Sequence, residues 1–319
     1  MSAGGRRRTR LRTRPVARPL AWLVALVLAL ACLSCSSGEQ DVGKLERLDV
    51  PFRFGAYVDP ATYTDDARIA AYEQFERALG RSLDVYHSYH PFTADFPSQG
   101  DRHFAAQGKT LLISWSGTDT RDIVSGQYDD LVRTRARALA ALDVPVILQW
   151  RWEMNRRNLA EEIHSPAEYV AAWRHLHELF EQEGVTNVSW AWCPLSDYGA
   201  DLDFSAYYPG DDVVDYIGAN GYARNAGASF ADVFYPFLQW AQGRPGKPIL
   251  IGEFARPVDM GSPESLVRWL TRARTTLANN PRIKVVTYFE SARGSSGKYD
   301  LTKVPGALAA LRDWEDPEK

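Results

Sequence analysis

Two glutamates in this 319-residue chain stand where a carboxylate is hard to keep. Glu153 follows Gln149-Trp-Arg-Trp152, and Glu253 follows Pro248-Ile-Leu-Ile-Gly252. Apolar residues of strand type lead into each. A carboxyl group at the end of a buried strand costs free energy unless it is paired or used. Used together, two carboxyls can act as general acid and base, or as acid/base and nucleophile. The plainer reading is a Glu–Arg strut bracing the structure, and Arg151 and Arg256 are near enough in sequence to supply it. Two such glutamates, each flanked by aromatics, weigh against a strut.

The elements that position them come from a repeating pattern. Strand-length apolar runs occur at Phe52–Val58, Leu83–His90, Thr110–Gly117, Val144–Trp152, Val188–Pro194, Val214–Tyr222, Pro248–Ala255 and Ile283–Ser291. Several are nearly unbroken in Val, Ile and Leu, as strands covered on both faces are. Helical patterns lie between them. Asp65–Gly80 has Ile69, Tyr72, Phe75 and Leu79 at helical spacing and a terminal glycine. Ser165-Pro166-Ala-Glu168 and Ser262-Pro263-Glu264 each read as a helix start. Tyr128–Leu142 and Phe230–Ala241 fit as well, while Asp197–Pro209 reads as a loop with a short helical turn. Eight strands alternating with helices predict a single-domain α/β fold, the (β/α)8 TIM barrel. A doubly wound open sheet is the rival, but no Gly-x-Gly-x-x-Gly follows the first strand. In a barrel the site lies at the carboxyl ends of the strands. Those ends carry Tyr57, His90, Trp115, Glu153, Trp192, Tyr222, Glu253 and Glu290.

The first 35 residues stand apart. Seven arginines from Arg6 to Arg18 precede an apolar run, Leu20–Leu33, that is short for a membrane span. That pattern predicts a signal peptide over residues 1–35, then a polar tether over 36–50, then the barrel over 51–319. Cys32 and Cys35 close the run and resemble a bacterial lipoprotein cleavage region, which implies lipid attachment at one of them and a place outside the cytoplasmic membrane. Beyond Cys35 the formal charge is −10, because those seven arginines and no acid lie before it. So acidic a domain is a poor match to nucleic acid. Cys193 stands alone, so no disulfide framework is expected.

Three stretches, Arg151-Trp-Glu153-Met-Asn155, Tyr207-Tyr-Pro-Gly-Asp211 through Val214–Tyr222, and Lys247-Pro-Ile-Leu-Ile-Gly-Glu253, resemble glycoside hydrolase family 26. Its best-known members are endo-β-1,4-mannanases. The resemblance implies a retaining glycosidase acting on β-linked polysaccharide, with no cofactor. Glu153 would be the acid/base, its pKa raised by burial and by Glu253, and Glu253 the nucleophile. Tyr222 would hydrogen-bond the nucleophile. The family has His before the acid/base, where this chain has Trp152, and a tryptophan after the eighth strand, where Tyr288-Phe289-Glu290 has none unless Phe289 fills the place.

The expected sugar contacts are Tyr57, His90, Trp115, Arg151, Trp152, Asn155, Trp192, Tyr222 and Glu290. Sugar C–H groups stack on aromatic faces, and on Ser189-Trp-Ala-Trp-Cys193 the better platform is Trp192, with Trp190 in the core. Barrel packing is the rival for both. Glu290 binds sugar hydroxyls or pairs with Arg293. His87 with His90, and His175 with His177, lack the further ligands of a metal site. The expected partners are a polysaccharide and, through the lipid anchor, a membrane; the chain is expected to be a monomer. A non-catalytic carbohydrate-binding lipoprotein and an envelope-glycan transglycosylase are the rival functions.

Overall fold

The computed structural model describes residues 52–196, 203–292, 298–312 and 314. The expected signal peptide, the tether, Cys32, Cys35 and Arg293 lie outside these residues.

Eight parallel strands close a barrel in chain order: β1 (Arg53–Val58), β2 (Val85–His90), β3 (Thr110–Trp115), β4 (Val146–Trp150), β5 (Val188–Trp192), β6 (Tyr216–Tyr222), β7 (Ile249–Ala255) and β8 (Ile283–Glu290). The ring closes where β8 pairs with β1, from Arg53↔Val285 to Val58↔Glu290. The fold is a (β/α)8 barrel. Around it lie α1 (Asp65–Leu79), α2 (Gln99–Ala106), α3 (Thr120–Val124), α4 (Asp129–Ala140), α5 (Ala160–Ile163), α6 (Pro166–Gln182), α7 (Phe230–Ala241), α8 (Pro263–Ala278) and α9 (Ala307–Arg312).

The helix ends follow the local sequence. Ser165 accepts from the Glu168 amide at 3.2 Å, and the amide of Gly80 closes α1 onto the Glu76 carbonyl at 2.8 Å. α2 has no counterpart among the expected helices. With eight residues it is too short to display a helical period, and it is set by a capping box between Ser98 and Asp101.

Strand alternation divides the side chains into two populations. Val85, Leu112, Ile147, Ala191, Tyr216, Leu250 and Val285, one from each of seven strands, pack together inside the barrel. Two positions on, His87, Ser114 and Gln149 form a buried polar layer: His87 Nε2 is 2.6 Å from Ser114 Oγ, which also accepts from the Gln149 amide. Two positions further, Tyr89 on β2 and Phe289 on β8 reach the mouth. The intervening residues face the helices. There Trp150 stacks on Tyr169 of α6 (5.2 Å between centroids), and Trp190 meets Trp173 and Phe180.

Candidate active site

The chain turns as soon as β4 ends. Arg151 and Glu153 both adopt left-handed backbone angles, φ +48° and +54°. Such angles cost of order 1–3 kcal/mol for residues other than glycine, and persist where the surroundings enforce them. Here the Arg151 amide is held by the Trp115 carbonyl (2.8 Å) and the Glu153 amide by the Cys193 carbonyl (2.7 Å). The turn sends Arg151 outward to Glu162 (2.7 Å) and Glu153 inward.

β7 delivers its glutamate by another device. Leu250 faces the barrel interior, so strict alternation would point Glu253 at the helices. The register against β6 slips: Ala219 pairs with Ile251, but Asn220 pairs with Glu253. Gly252 is the extra residue of a bulge, and the bulge re-aims Glu253 into the mouth. A Cβ on Gly252 would lie 2.7 Å from Asn220 Oδ1 and 2.8 Å from Cys193 Sγ. Only glycine leaves room for that polar pair under the carboxylate.

The two carboxyl groups meet over Asn220. Its Nδ2 donates to Glu253 Oε1 at 2.7 Å and to Glu153 Oε1 at 3.1 Å. These two bonds cap the separation of the two oxygens at 5.8 Å, their sum. Tyr222 donates to Glu253 Oε2, and Arg156, 45% exposed, reaches Glu153 Oε2 at 2.9 Å. The rival struts from Arg151 and Arg256 do not form, and the arginine on Glu153 is Arg156. Arg151 is spent on Glu162, and Arg256 bonds the Met260 carbonyl and Ser265. The carboxyls open on a cavity of about 500 Å³ walled by Tyr57, Tyr89, Trp152, Tyr222, Phe289 and Tyr299. Tyr57 stacks on Phe289, and Tyr89 meets Tyr57 and Trp152 edge-on. Among the described residues no group of three His, Cys, Asp or Glu is arranged to hold a metal ion.

Residues 104–245 match the family model described as Glycosyl hydrolase family 26. Over that stretch the chain is similar to family 26 glycoside hydrolases. It is 26% identical over 307 residues to "Endoglucanase H" of Acetivibrio thermocellus, a match covering 90% of this chain and 33% of that protein. It is 28% identical over 147 residues to "Beta-1,3-xylanase TXYA" of a Vibrio species, covering 44% of this chain and 30% of that one. The chain thus spans about a third of the length of these relatives. Its fold resembles that of a GH26 β-mannanase from Bacteroides ovatus, with a TM-score of 0.59 and 17% identity, covering 82% of this chain and 86% of that one.

The structure brings Tyr57, Trp152, Glu153, Tyr222 and Glu253 around one cavity, with Phe289 at the end of β8. Six other expected sugar contacts lie elsewhere. Strand parity explains four of them. His90 faces α2, bound to Asp101 (2.8 Å) and stacked on Phe96. Trp115 is fully buried against Phe92, with its indole N–H on the Phe92 carbonyl. Trp192, also fully buried, packs on Trp240 and donates to the Tyr207 carbonyl, so it is core like Trp190. Glu290 accepts from the Leu301 amide and caps the turn that starts there. The loop explains the others. Arg151 pairs outward, and Asn155 clamps the Leu195 backbone in both directions at 2.9 and 3.0 Å. Sequence reasoning missed Tyr89, Asn220, Arg156 and Tyr299. Counting by twos from Val85 would have found Tyr89, and from Tyr216 would have found Asn220; only its pairing with Glu253 depends on the bulge.

Glu253 is pushed up to about 8, first by burial and then by the charge of Glu153. Tyr222 and Asn220 oppose the rise by hydrogen bonding to the anion, and the Tyr89 hydroxyl lowers it from nearby. Two buried carboxyls this close do not both ionise at neutral pH, so the pair holds one proton. Unfolded glutamates release theirs near pH ~4.3. Between that pH and about 8 the folded chain binds more protons than the unfolded one, so stability falls as pH rises.

Two outcomes are expected. Glu253→Gln raises the melting temperature at pH 7.5 by roughly 2–8 °C and flattens its decline between pH 5 and 8; thermal melts across that range check it. Trp192→Ala lowers unfolding stability by about 3–5 kcal/mol in urea titration. The folded fraction keeps its KM, which a sugar platform would not.

Proposed function

We propose that this chain is an exported retaining glycosidase that cleaves β-linked polysaccharide. The observation that carries the reading is the single Asn220 amide in reach of both carboxyl groups. The resulting ceiling of 5.8 Å, the sum of those two bonds, suits direct attack across a sugar ring, for which retaining enzymes hold their carboxyls about 5–5.5 Å apart. Inverting enzymes need about 6.5–9.5 Å, to leave space for a water.

The pair holds one proton, and the reaction needs it on Glu153. Glu253, as the anion, attacks the anomeric carbon. The glycosidic oxygen leaves with the proton of Glu153, and the sugar stays bonded to Glu253. Glu153, now the base, takes a proton from water, whose oxygen displaces Glu253 from the anomeric carbon. Both carboxyls then return to their starting states. Trp152, Tyr89, Phe289 and Tyr57 offer aromatic surface to the sugar. Among the described residues, Glu153 and Glu253 are the only acids lining the cavity, opposite Arg156 and Arg224, and this balance of charge suits a neutral glycan.

Mannan-type β-1,4-linked polysaccharide is the first substrate to test. The names of the relatives, an endoglucanase and a β-1,3-xylanase, support testing β-glucan and β-1,3-xylan beside it. The arginine-rich leader and Cys32 or Cys35 support a lipid-anchored enzyme on the outer face of the cytoplasmic membrane.

The test is a panel of mannan, β-glucans and xylans with wild type, Glu153→Gln and Glu253→Gln. Wild type is expected to release reducing ends from at least one. Glu153→Gln lowers kcat by about 10²–10⁴-fold, and Glu253→Gln lowers it at least as far. Binding without turnover by wild type would overturn the proposal in favour of a carbohydrate-binding module. Undiminished activity in Glu253→Gln would remove the nucleophile.

A further inference from the structure

We infer that the Tyr89 hydroxyl donates a hydrogen bond to the C2 hydroxyl of the sugar that Glu253 attacks, which makes Tyr89 a specificity-determining residue. The inference rests on the retaining reading above and deepens it.

Tyr89 ends the inward row of β2, two residues beyond His87, and lines the cavity. Its ring is wedged among three others. Tyr57 meets it edge-on at 4.8 Å between centroids, Trp152 does so at 5.1 Å, and His87 lies tilted against it at 4.6 Å. A ring held in this way fixes where its oxygen sits, and only the O–H bond can turn. That oxygen is buried and has no hydrogen-bond partner among the described residues. A buried hydroxyl left without a partner is costly, and native proteins rarely keep one. The other donors around the carboxyl pair are committed: Tyr222 to Glu253, Asn220 to both carboxyls, Arg156 to Glu153, and Tyr57 to Asp59 at 3.3 Å. Burial, and then the charge of Glu253, push the Tyr89 hydroxyl far above its ordinary range, so it keeps its hydrogen and can donate.

The substrate supplies the acceptor. Within its ring the anomeric carbon is bonded to the ring oxygen and to C2. The hydroxyl on C2 is therefore the sugar hydroxyl nearest the carbon under attack. Tyr89 sits close enough to Glu253 to act on its charge, yet forms no bond of good geometry with it. Its hydroxyl is placed for an oxygen that arrives beside the carboxylate. As Glu253 bonds to the anomeric carbon it loses its charge and its pull on the Tyr89 hydrogen. The C2 oxygen is then the better acceptor. Hydrogen bonds to this hydroxyl that strengthen in the transition state add to glycosidase rates. Glucose and mannose differ only in the direction of the C2 hydroxyl, so a donor fixed by packed rings discriminates between them.

The experiment compares kcat/KM of the full chain and its Tyr89→Phe variant on paired probes. The probes are dinitrophenyl β-glycosides of mannobiose, cellobiose and β-1,3-xylobiose, with and without the C2 hydroxyl on the sugar that carries the aryl group. Tyr89→Phe is expected to lower kcat/KM about 10–100-fold on a probe with that hydroxyl, and less than about threefold on its deoxy partner. The ratio of the two probes within one sample does not depend on how much of the sample is folded, so it stays readable if the variant folds poorly. A loss as large on the deoxy probe would show that Tyr89 acts through Glu253, and would overturn the inference. So would no loss on either probe. Both of those results leave the retaining reading standing, because wild type turns over. No turnover of any probe by wild type would remove that reading, and the inference with it.

Discussion

Glu153 and Glu253 approach closely enough for one amide nitrogen to donate to both, and both are buried. Two negative charges there repel each other in a medium far less polar than water. The site answers that repulsion in two ways. It keeps one proton on the pair, and it surrounds the remaining charge with donors: Asn220, Tyr222 and, on Glu153, Arg156. The Tyr89 hydroxyl adds to the field on Glu253 without forming a hydrogen bond of good geometry.

Backbone geometry supports the same arrangement. Neither glutamate arrives in the mouth by regular strand alternation. Glu153 comes through a turn with two left-handed residues, and Glu253 through a bulge whose extra residue is glycine. Each departure is fixed by bonds to neighbouring strands, through the Trp115 and Cys193 carbonyls and through the β6 pairing. Other departures occur as well: β8 slips against β7 between Ile249 and Leu250, and His164 also has a left-handed backbone angle, φ +59°.

The barrel itself was legible in the sequence, because strands buried on both faces read as unbroken apolar runs and most of the helices carry caps. The two glutamates were legible too, as charges at the ends of such runs. Which strand-end side chains turn inward was not. A run buried on both faces hides the alternation that separates inside from outside. His90 was therefore chosen where Tyr89 lines the cavity, and Trp192 where the inward neighbours are Ala191 and Cys193. Asn220 shares the inward parity of Tyr216 and Tyr222, but its place beside Glu253 depends on a register slip on β7, and no residue spacing announces a slip.

The central claim is that the carboxyls act by double displacement at short range. The most direct measurement is ¹H NMR of the first product released from a cleaved β-glycan, before the anomers equilibrate. The account predicts the β-anomer first, with the α-anomer growing in later by mutarotation. The α-anomer appearing first would show inversion, and would contradict a nucleophilic Glu253 held beside Glu153 by Asn220.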